Sequence, residues 1–232
     1  MSEALNKVKG VTRLPIFPLP LVLLPIEILP LHIFEPRYRE MLSDVTVTNN
    51  LFGVHLFEPK DEFETRPAIG SIGCVAEVRE VHPSPDGRSN ILTHGVIRYR
   101  LIDFVESDKP YLIARVEYFE DVEEDEGPQM RTAEEVFTLF ERIAKAAFKM
   151  SGNRGKLPEI ERADPEPMSF LVTAAFSFDN AKKYRFLEMN STTKRLRSLK
   201  KMLLHAADQM EASAEITEVA KTNGHSSKKL DL

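Results

Sequence analysis

The chain has 232 residues, 42% hydrophobic and 29% charged, with a net charge of −5. A chain of this size and composition can bury a core without covalent staples, which excludes collagenous, disulfide-framed and intrinsically disordered classes. Its single cysteine, Cys74, excludes an internal disulfide and suits a reducing compartment. The acidic balance disfavours non-specific nucleic-acid binding, which needs basic surface to displace counterions.

The most apolar stretch comes first: LPIFPLPLVLLPIEILPLHIF, residues 14–34. Its length suits a bilayer span, but prolines at 15, 18, 20, 25 and 30 would each remove an N–H and collide with the turn before. Hydrocarbon offers no partner for the freed carbonyls, and Glu27 adds a charge. An export signal fits no better, since no compact basic region precedes the stretch and no small-residue cleavage site follows. The prediction is extended chain, with prolines at strand ends and edges and no membrane association. EPRYREMLSD then reads as a helix, with Phe34, Tyr38, Met41 and Leu42 at helical spacing and Pro36 in the first turn.

Runs at 51–57, 71–81, 89–105 and 111–119 alternate with turn signals and predict strands. Asp86-Gly87 suits the positive φ angles of a tight hairpin, and Lys109-Pro110 closes another connection. The expected result is a mostly antiparallel sheet or small barrel. After residue 128 the period becomes helical: Val136, Phe137, Phe140, Ile143, Ala144, Ala147 and Phe148 form one apolar stripe. Asp164, then Asp179 or Asn180, then Asn190 or Ser191 are candidate caps for three further helices. The last of these repeats Leu196, Leu199, Leu203, Ala206 and Met210. That is about two heptads, better suited to packing within the domain than to a coiled coil. The fold class is therefore α+β, with a β-domain over 10–124, a helical subdomain over 128–210 and a disordered tail over 211–232.

The search for reactive chemistry returns little. GNRGKL has the wrong spacing for a phosphate loop, with no hydroxyl after its lysine. One cysteine and six scattered histidines supply no metal-ligand spacing, so no metal and no cofactor are expected. Ser-x-x-Lys occurs at Ser191/Lys194, Ser198/Lys201 and Ser226/Lys229, in the most cationic part of the chain. A serine nucleophile would need a desolvated, neutral lysine, and helix capping explains the pattern better. Cys74 in IGCVAEV reads as core filling. The chain is expected not to be an enzyme.

Several ordered motifs resemble the Lon N-terminal domain family, especially its free-standing bacterial members. RLPIFPLPLVLLPIEILPLHIFEPRYREML resembles the family's opening, FGVHL its third strand, IGCVAEV its Ile-Gly-Thr-Val-Ala strand, and DGRSNILTHGVIRYRL its hairpin. YRFLEMNSTTKRLRSLKKML is similar to its later helical segment, so the resemblance spans roughly residues 12–205. In this chain Ile26 stands where the family usually has glycine after Pro25, and Leu21 where a polar loop residue is common.

The resemblance implies a β-domain of the pseudouridine-synthase-and-archaeosine-transglycosylase (PUA-like) type followed by a helical bundle. In full-length Lon proteases such a region precedes an ATPase and a Ser-Lys peptidase and helps select substrates; here the chain ends before either would begin. The function it implies is non-catalytic recognition of unfolded or extended polypeptide clients, related to proteolysis and cytoplasmic, with a protease as a further partner. The candidate polypeptide-binding residues are Leu21, Leu23, Leu24, Ile26, Phe34, Glu35, Arg37 and Tyr38. Core packing of the leucines and an ion pair between Glu35 and Arg37 are the alternatives. RNA binding is the competing function, through the basic run Lys182–Lys201 and through Arg98 and Arg100 flanking Tyr99 as a stacking surface. The oligomeric state is left open.

Overall fold

Proline placement decides how the first strand enters the sheet. In the computed structural model, which describes residues 2–151 and 162–223 with side chains to Ile216, strand β1 (Arg13–Leu19) holds Pro15 and Pro18. Neither can donate to a ladder. The first half of β1 pairs antiparallel with β6 (Leu112–Phe119), and the second half pairs parallel with β3 (Leu51–Leu56). The two ladders overlap only at Ile16. Each proline therefore has one strand neighbour, and its missing N–H leaves no gap in a doubly paired segment.

Strands β4 (Ile72–Pro83) and β5 (Ser89–Val105) form a long hairpin. The sheet order is β2-β5-β4-β3-β1-β6, with β2 spanning Ile28–Ile33, and β5 also pairs with β6. Five strands thus close into a ring and β2 attaches outside it. One side of β5 serves two neighbours, β2 along Ser89–His94 and β6 along Arg98–Val105. The class is α+β, as expected, with a mixed sheet: β1 and β3 run parallel because β2 and helix α2 (Pro36–Thr46) intervene between them.

Alternation fills the ring. Leu14, Ile16, Leu51, Val75, Ile97, Tyr99, Leu101 and Ala114 are buried together. The Tyr99 hydroxyl lies where a Cβ on Gly53 or Gly73 would stand, so larger residues there would displace the ring. Cys74 is wholly buried, and burial pushes its thiol far above the usual range. In α2, Tyr38, Met41, Leu42 and Val45 face inward. Phe34 does not join that stripe as its spacing suggested, because it precedes the N-cap, Glu35, and stands exposed. At the β4–β5 turn only Gly87 adopts positive φ, not the Asp86-Gly87 pair. Gly87 N–H donates to the Ser84 carbonyl at 2.9 Å and Ser84 N–H to that of Arg88 at 2.8 Å, so the loop has three residues rather than two.

The chain divides into two compact units. The first holds Met1–Val122 and Thr173–Asn190, so helix α5 (Asn180–Glu188) belongs with the β-ring. The second holds Glu123–Val172 and Ser191–Leu232. In it, helix α3 (Glu126–Met150) and helix α6 (Thr192–Asn223) run parallel, since the ion pairs Lys200–Glu135 and Arg142–Asp208 climb both together. Ser191 caps α6 by accepting from Lys194 N–H at 3.1 Å, the local reason for one Ser-x-x-Lys match. Ser198 of the second match donates to the Lys194 carbonyl. GNRGKL, His225 and Ser226/Lys229 lie outside the described residues.

The described helix also continues past Met210 to Asn223, where a structureless tail was expected. The segment EASAEITEVAK has lost its apolar stripe but is rich in strong helix formers, Ala214 is buried, and Glu211 pairs with Arg142 at 2.7 Å. Residues 224–232 are not among those described.

One buried group gives the first unit a pH dependence. His55 is almost fully enclosed, with Nδ1 3.1 Å from the Tyr99 hydroxyl and Nε2 2.7 Å from the Ser71 hydroxyl. Burial lowers it from 6.5 to about 4, so the fold holds the neutral ring. The unfolded chain takes up the proton first: stability from this group is intact above pH 6.5 and is lost as pH falls through 6.5 towards 4. Linkage sets the loss at about 2–3 kcal/mol between pH 7.5 and 4.5. Urea unfolding of the native protein and His55→Gln at both pH values should show the difference, with the variant's pH slope shallower by that amount.

Candidate functional site: the turn before β2 and its outer edge

The segment ahead of β2 is a tight turn in an unusual conformation. Glu27 N–H donates to the Leu24 carbonyl at 3.2 Å, closing Leu24-Pro25-Ile26-Glu27. Proline stands at the second position and a residue of φ +61° at the third, the type II pattern that normally demands glycine. Here the third residue is Ile26, β-branched and in the left-handed region. The departure from glycine read in the sequence thus alters the residue while the positive-φ geometry remains.

Three contacts hold this turn. Ile26 N–H donates to the Gly95 carbonyl at 2.7 Å, and Gly95 N–H donates to the Glu27 carbonyl at 2.9 Å. Two residues on one strand thus face one on the other, a bulge whose first position is usually glycine. Gly95 must lack a side chain, because its Cβ would sit 2.0 Å from the Leu24 carbonyl oxygen. The Glu27 carboxylate accepts from Leu24 N–H at 2.9 Å and from Lys183 Nζ, on α5, at 2.7 Å.

The bulge sets which β2 groups face outward. Since Gly95 N–H donates to the Glu27 carbonyl and closes the bulge, the antiparallel alternation beyond it gives bonded pairs at Leu29–Thr93, Leu31–Ile91 and Ile33–Ser89. Ile28, Pro30 and His32 direct their main-chain groups away from β5. β2 ends the sheet order, and β5 is its one strand partner. Pro30 falls where its missing N–H opens no internal ladder. The same three residues carry exposed side chains; Ile28 is 63% exposed, Phe34 just beyond is 56% exposed, and the rings of His32 and Phe34 stack at 6.0 Å. Among the described residues no strand pairs with this outer edge, which presents its main-chain groups beside an apolar row.

The residues singled out from sequence divide sharply. Leu23 and Leu24 are buried in the first unit, so they do not form a presented surface; Leu21 and Ile26 are half-buried. Phe34 is exposed. Glu35 and Arg37 form a surface ion pair at 2.8 Å, and Arg37 lies over the Tyr38 ring at 4.6 Å. Tyr38 is buried against Phe17, and that burial raises its phenol while Arg37 opposes the rise. Sequence reasoning missed Ile28, Pro30, His32, Gly95 and Lys183. The alternation of inward Leu29, Leu31 and Ile33 with a proline between them was the available signal for an edge strand.

The competing RNA surface loses its strand residues. Arg98 is 1% exposed, pairs with Asp121 at 2.5 Å and donates to the Leu187 and Met189 carbonyls near the end of α5. Tyr99 is interior, and Arg100 alone of the three reaches solvent. The strand alternation fails as a guide to exposure here because Tyr99 fills the ring interior while Asp121 and the end of α5 cover the opposite face at Arg98. Three residues of the basic run are also committed: Lys183 holds Glu27, Lys200 pairs with Glu135, and Arg195 is buried, donating to the Ser169 hydroxyl at 2.7 Å over the Phe170 ring.

No described helix is long and apolar enough to cross a membrane, and no group of three His, Cys, Asp or Glu among the described residues could hold a metal ion. The chain belongs to the ATP-dependent protease La (LON) substrate-binding domain family, whose model matches residues 13–205. It is 27% identical over 168 residues to the Lon protease of Trichlorobacter lovleyi, covering 69% of this chain and 20% of that protein. It is 23% identical over 145 residues to Lon protease 2 of Herpetosiphon aurantiacus, covering 62% and 18%. The chain thus spans about a fifth of the length of these relatives. Among solved structures it resembles the Lon N-terminal domain protein from Xanthomonas campestris, with TM-score 0.61 and 21% identity over 81% of this chain and 96% of that one. The N-terminal domain of a Mycobacterium avium complex Lon protease gives TM-score 0.61 and 18% identity, over 82% and 97%.

The turn geometry carries its own check. Ile26→Gly removes the left-handed penalty and should stabilise the protein by about 1 kcal/mol after the glycine's entropy is counted, raising Tm by about 2–4 °C. Gly95→Ala should destabilise by about 3 kcal/mol, because the new methyl meets backbone rather than a movable side chain. Thermal and urea unfolding of both variants measure the contrast.

Proposed function

We propose that this chain is a non-catalytic recognition domain that captures extended polypeptide segments along the outer edge of β2. The observation that carries this reading is the unpaired main-chain edge at Ile28, Pro30 and His32 beside exposed Ile28 and Phe34. A client strand added there gains main-chain hydrogen bonds from the edge and side-chain contacts from the apolar row, the usual division between affinity and specificity in strand addition. Pro30 and the shortness of β2 guard the same edge against pairing with other copies. The shared family with the substrate-binding part of Lon proteases supports a polypeptide as ligand and a protease as the destination of the client. The buried single thiol accords with work in a reducing cytoplasm.

Fluorescence anisotropy with a dye-labelled, permanently unfolded model protein tests this. Ile28→Ser with Phe34→Ser should weaken binding at least tenfold, given roughly 1.5–3 kcal/mol for each large apolar side chain fully buried by a client. Both side chains are exposed, so Tm should move little. Leu23→Ser should instead lower stability, since Leu23 is core. Unchanged affinity in the double variant would remove β2 from the binding site.

A further inference from the structure

We infer that Lys183 of α5 is a positioning residue for β2: it holds the strained turn that sets the register of the edge strand. For its effect on binding the inference rests on the reading of β2 as the polypeptide site; its effect on the strand stands independently.

A β-branched residue at the third position of a type II turn relaxes to negative φ unless its surroundings fix it. Around Ile26 that restraint has two sources. Gly95 receives the main chain by close approach and two hydrogen bonds, at 2.7 and 2.9 Å. The other source is the Glu27 carboxylate, which ties Leu24 N–H to the turn on one oxygen and Lys183 Nζ on the other. This ion pair is 2.7 Å long and shielded, with side chains 16% and 18% exposed. Lys183 Nζ also reaches the Val22 carbonyl at 3.4 Å, and Asn180 one turn earlier donates to the Pro20 carbonyl at 2.9 Å. The first turn of α5 thus grips the loop at Pro20, Val22 and Glu27.

α5 is itself anchored to the ring at its middle and its far end. Arg98 binds the Leu187 and Met189 carbonyls, and the Tyr184 hydroxyl accepts from Ile72 N–H at 2.9 Å. In sequence the helix lies between segments of the second unit, on both sides. Lys183 and Asn180 tie α5 to the turn as Tyr184 and the Arg98 contacts tie it to β4 and β5. If the turn relaxes, the bulge at Ile26–Glu27 is lost. A one-residue slip of β2 then exchanges its outward Ile28, Pro30 and His32 for Leu29, Leu31 and Ile33.

The test uses the full chain. Lys183→Met should raise the exchange rates of the Leu29 and Leu31 amides at least tenfold and weaken binding of the unfolded model protein about fivefold or more. Ile26→Gly placed in the Lys183→Met background should restore both, to within about twofold, because glycine needs no restraint at this φ. Lys183→Arg should keep both near native values. A lysine that merely stabilised α5 would not be rescued by a glycine in another element, so failure of the rescue overturns the inference, as does unchanged exchange in Lys183→Met. If Lys183→Met does not fold, Glu27→Gln weakens the same tie while leaving an acceptor for Leu24 N–H, and the same criteria apply. Exchange that rises and is rescued while binding stays constant upholds the positioning role and overturns β2 as the polypeptide site.

Discussion

A single turn governs how the outermost strand meets the rest of the sheet. Leu24-Pro25-Ile26-Glu27 closes with a residue in the left-handed region, and the bulge against Gly95 follows from it. That bulge fixes the parity of β2: from Glu27 onward every second residue faces β5 and every other one faces away. Parity is all-or-none in a strand, so a local dihedral choice decides whether Ile28 and His32 or Leu29 and Leu31 offer their main-chain groups to a client. An isoleucine in place of glycine makes the choice dependent on neighbours, chiefly Glu27 and Lys183.

The ring behind this edge is built for rigidity. β5 is long enough to serve β2 with its first half and β6 with its second, and Arg98 joins it to Asp121 and to the end of α5. A buried guanidinium with a carboxylate and two carbonyls in range is well satisfied, and losing one partner would leave an uncompensated interior charge. Tyr99 and His55 add a polar link inside the ring, and burial there favours the neutral imidazole. These groups tie β5 to α5 and to β3; the apolar row on β2 lies outside the ring.

Much of this was legible in the amino-acid order. The four later strands, the α2 helix, and the caps at Asp179 and Ser191 followed from alternation, turn residues and capping chemistry, and prolines at 15, 18 and 30 pointed to partly paired strands. The parallel β1–β3 ladder was not legible, because it depends on which strand neighbours which after β2 and α2 intervene. Burial of Arg98 was missed for a related reason: a charged residue on a strand reads as surface until distant elements, here Asp121 and the end of α5, cover that face. Leu23 and Leu24 looked available because a proline-rich apolar loop does not reveal which way it folds back. The apolar stripe of α6 fades after Met210, so its continuation rests on helix propensity rather than on the periodicity that marked its start. Lys183 lies 156 residues from Glu27, and no local pattern could have joined them.

The edge of β2 makes a residue-level claim open to direct measurement by amide hydrogen exchange with NMR detection, before and after saturation with an extended apolar peptide. Strand addition should newly protect the amides of Ile28 and His32, which face away from β5, while Leu29 and Leu31, already bonded inward, change little. Peptide binding that leaves Ile28 and His32 exchanging as before, with protection appearing elsewhere, would contradict it.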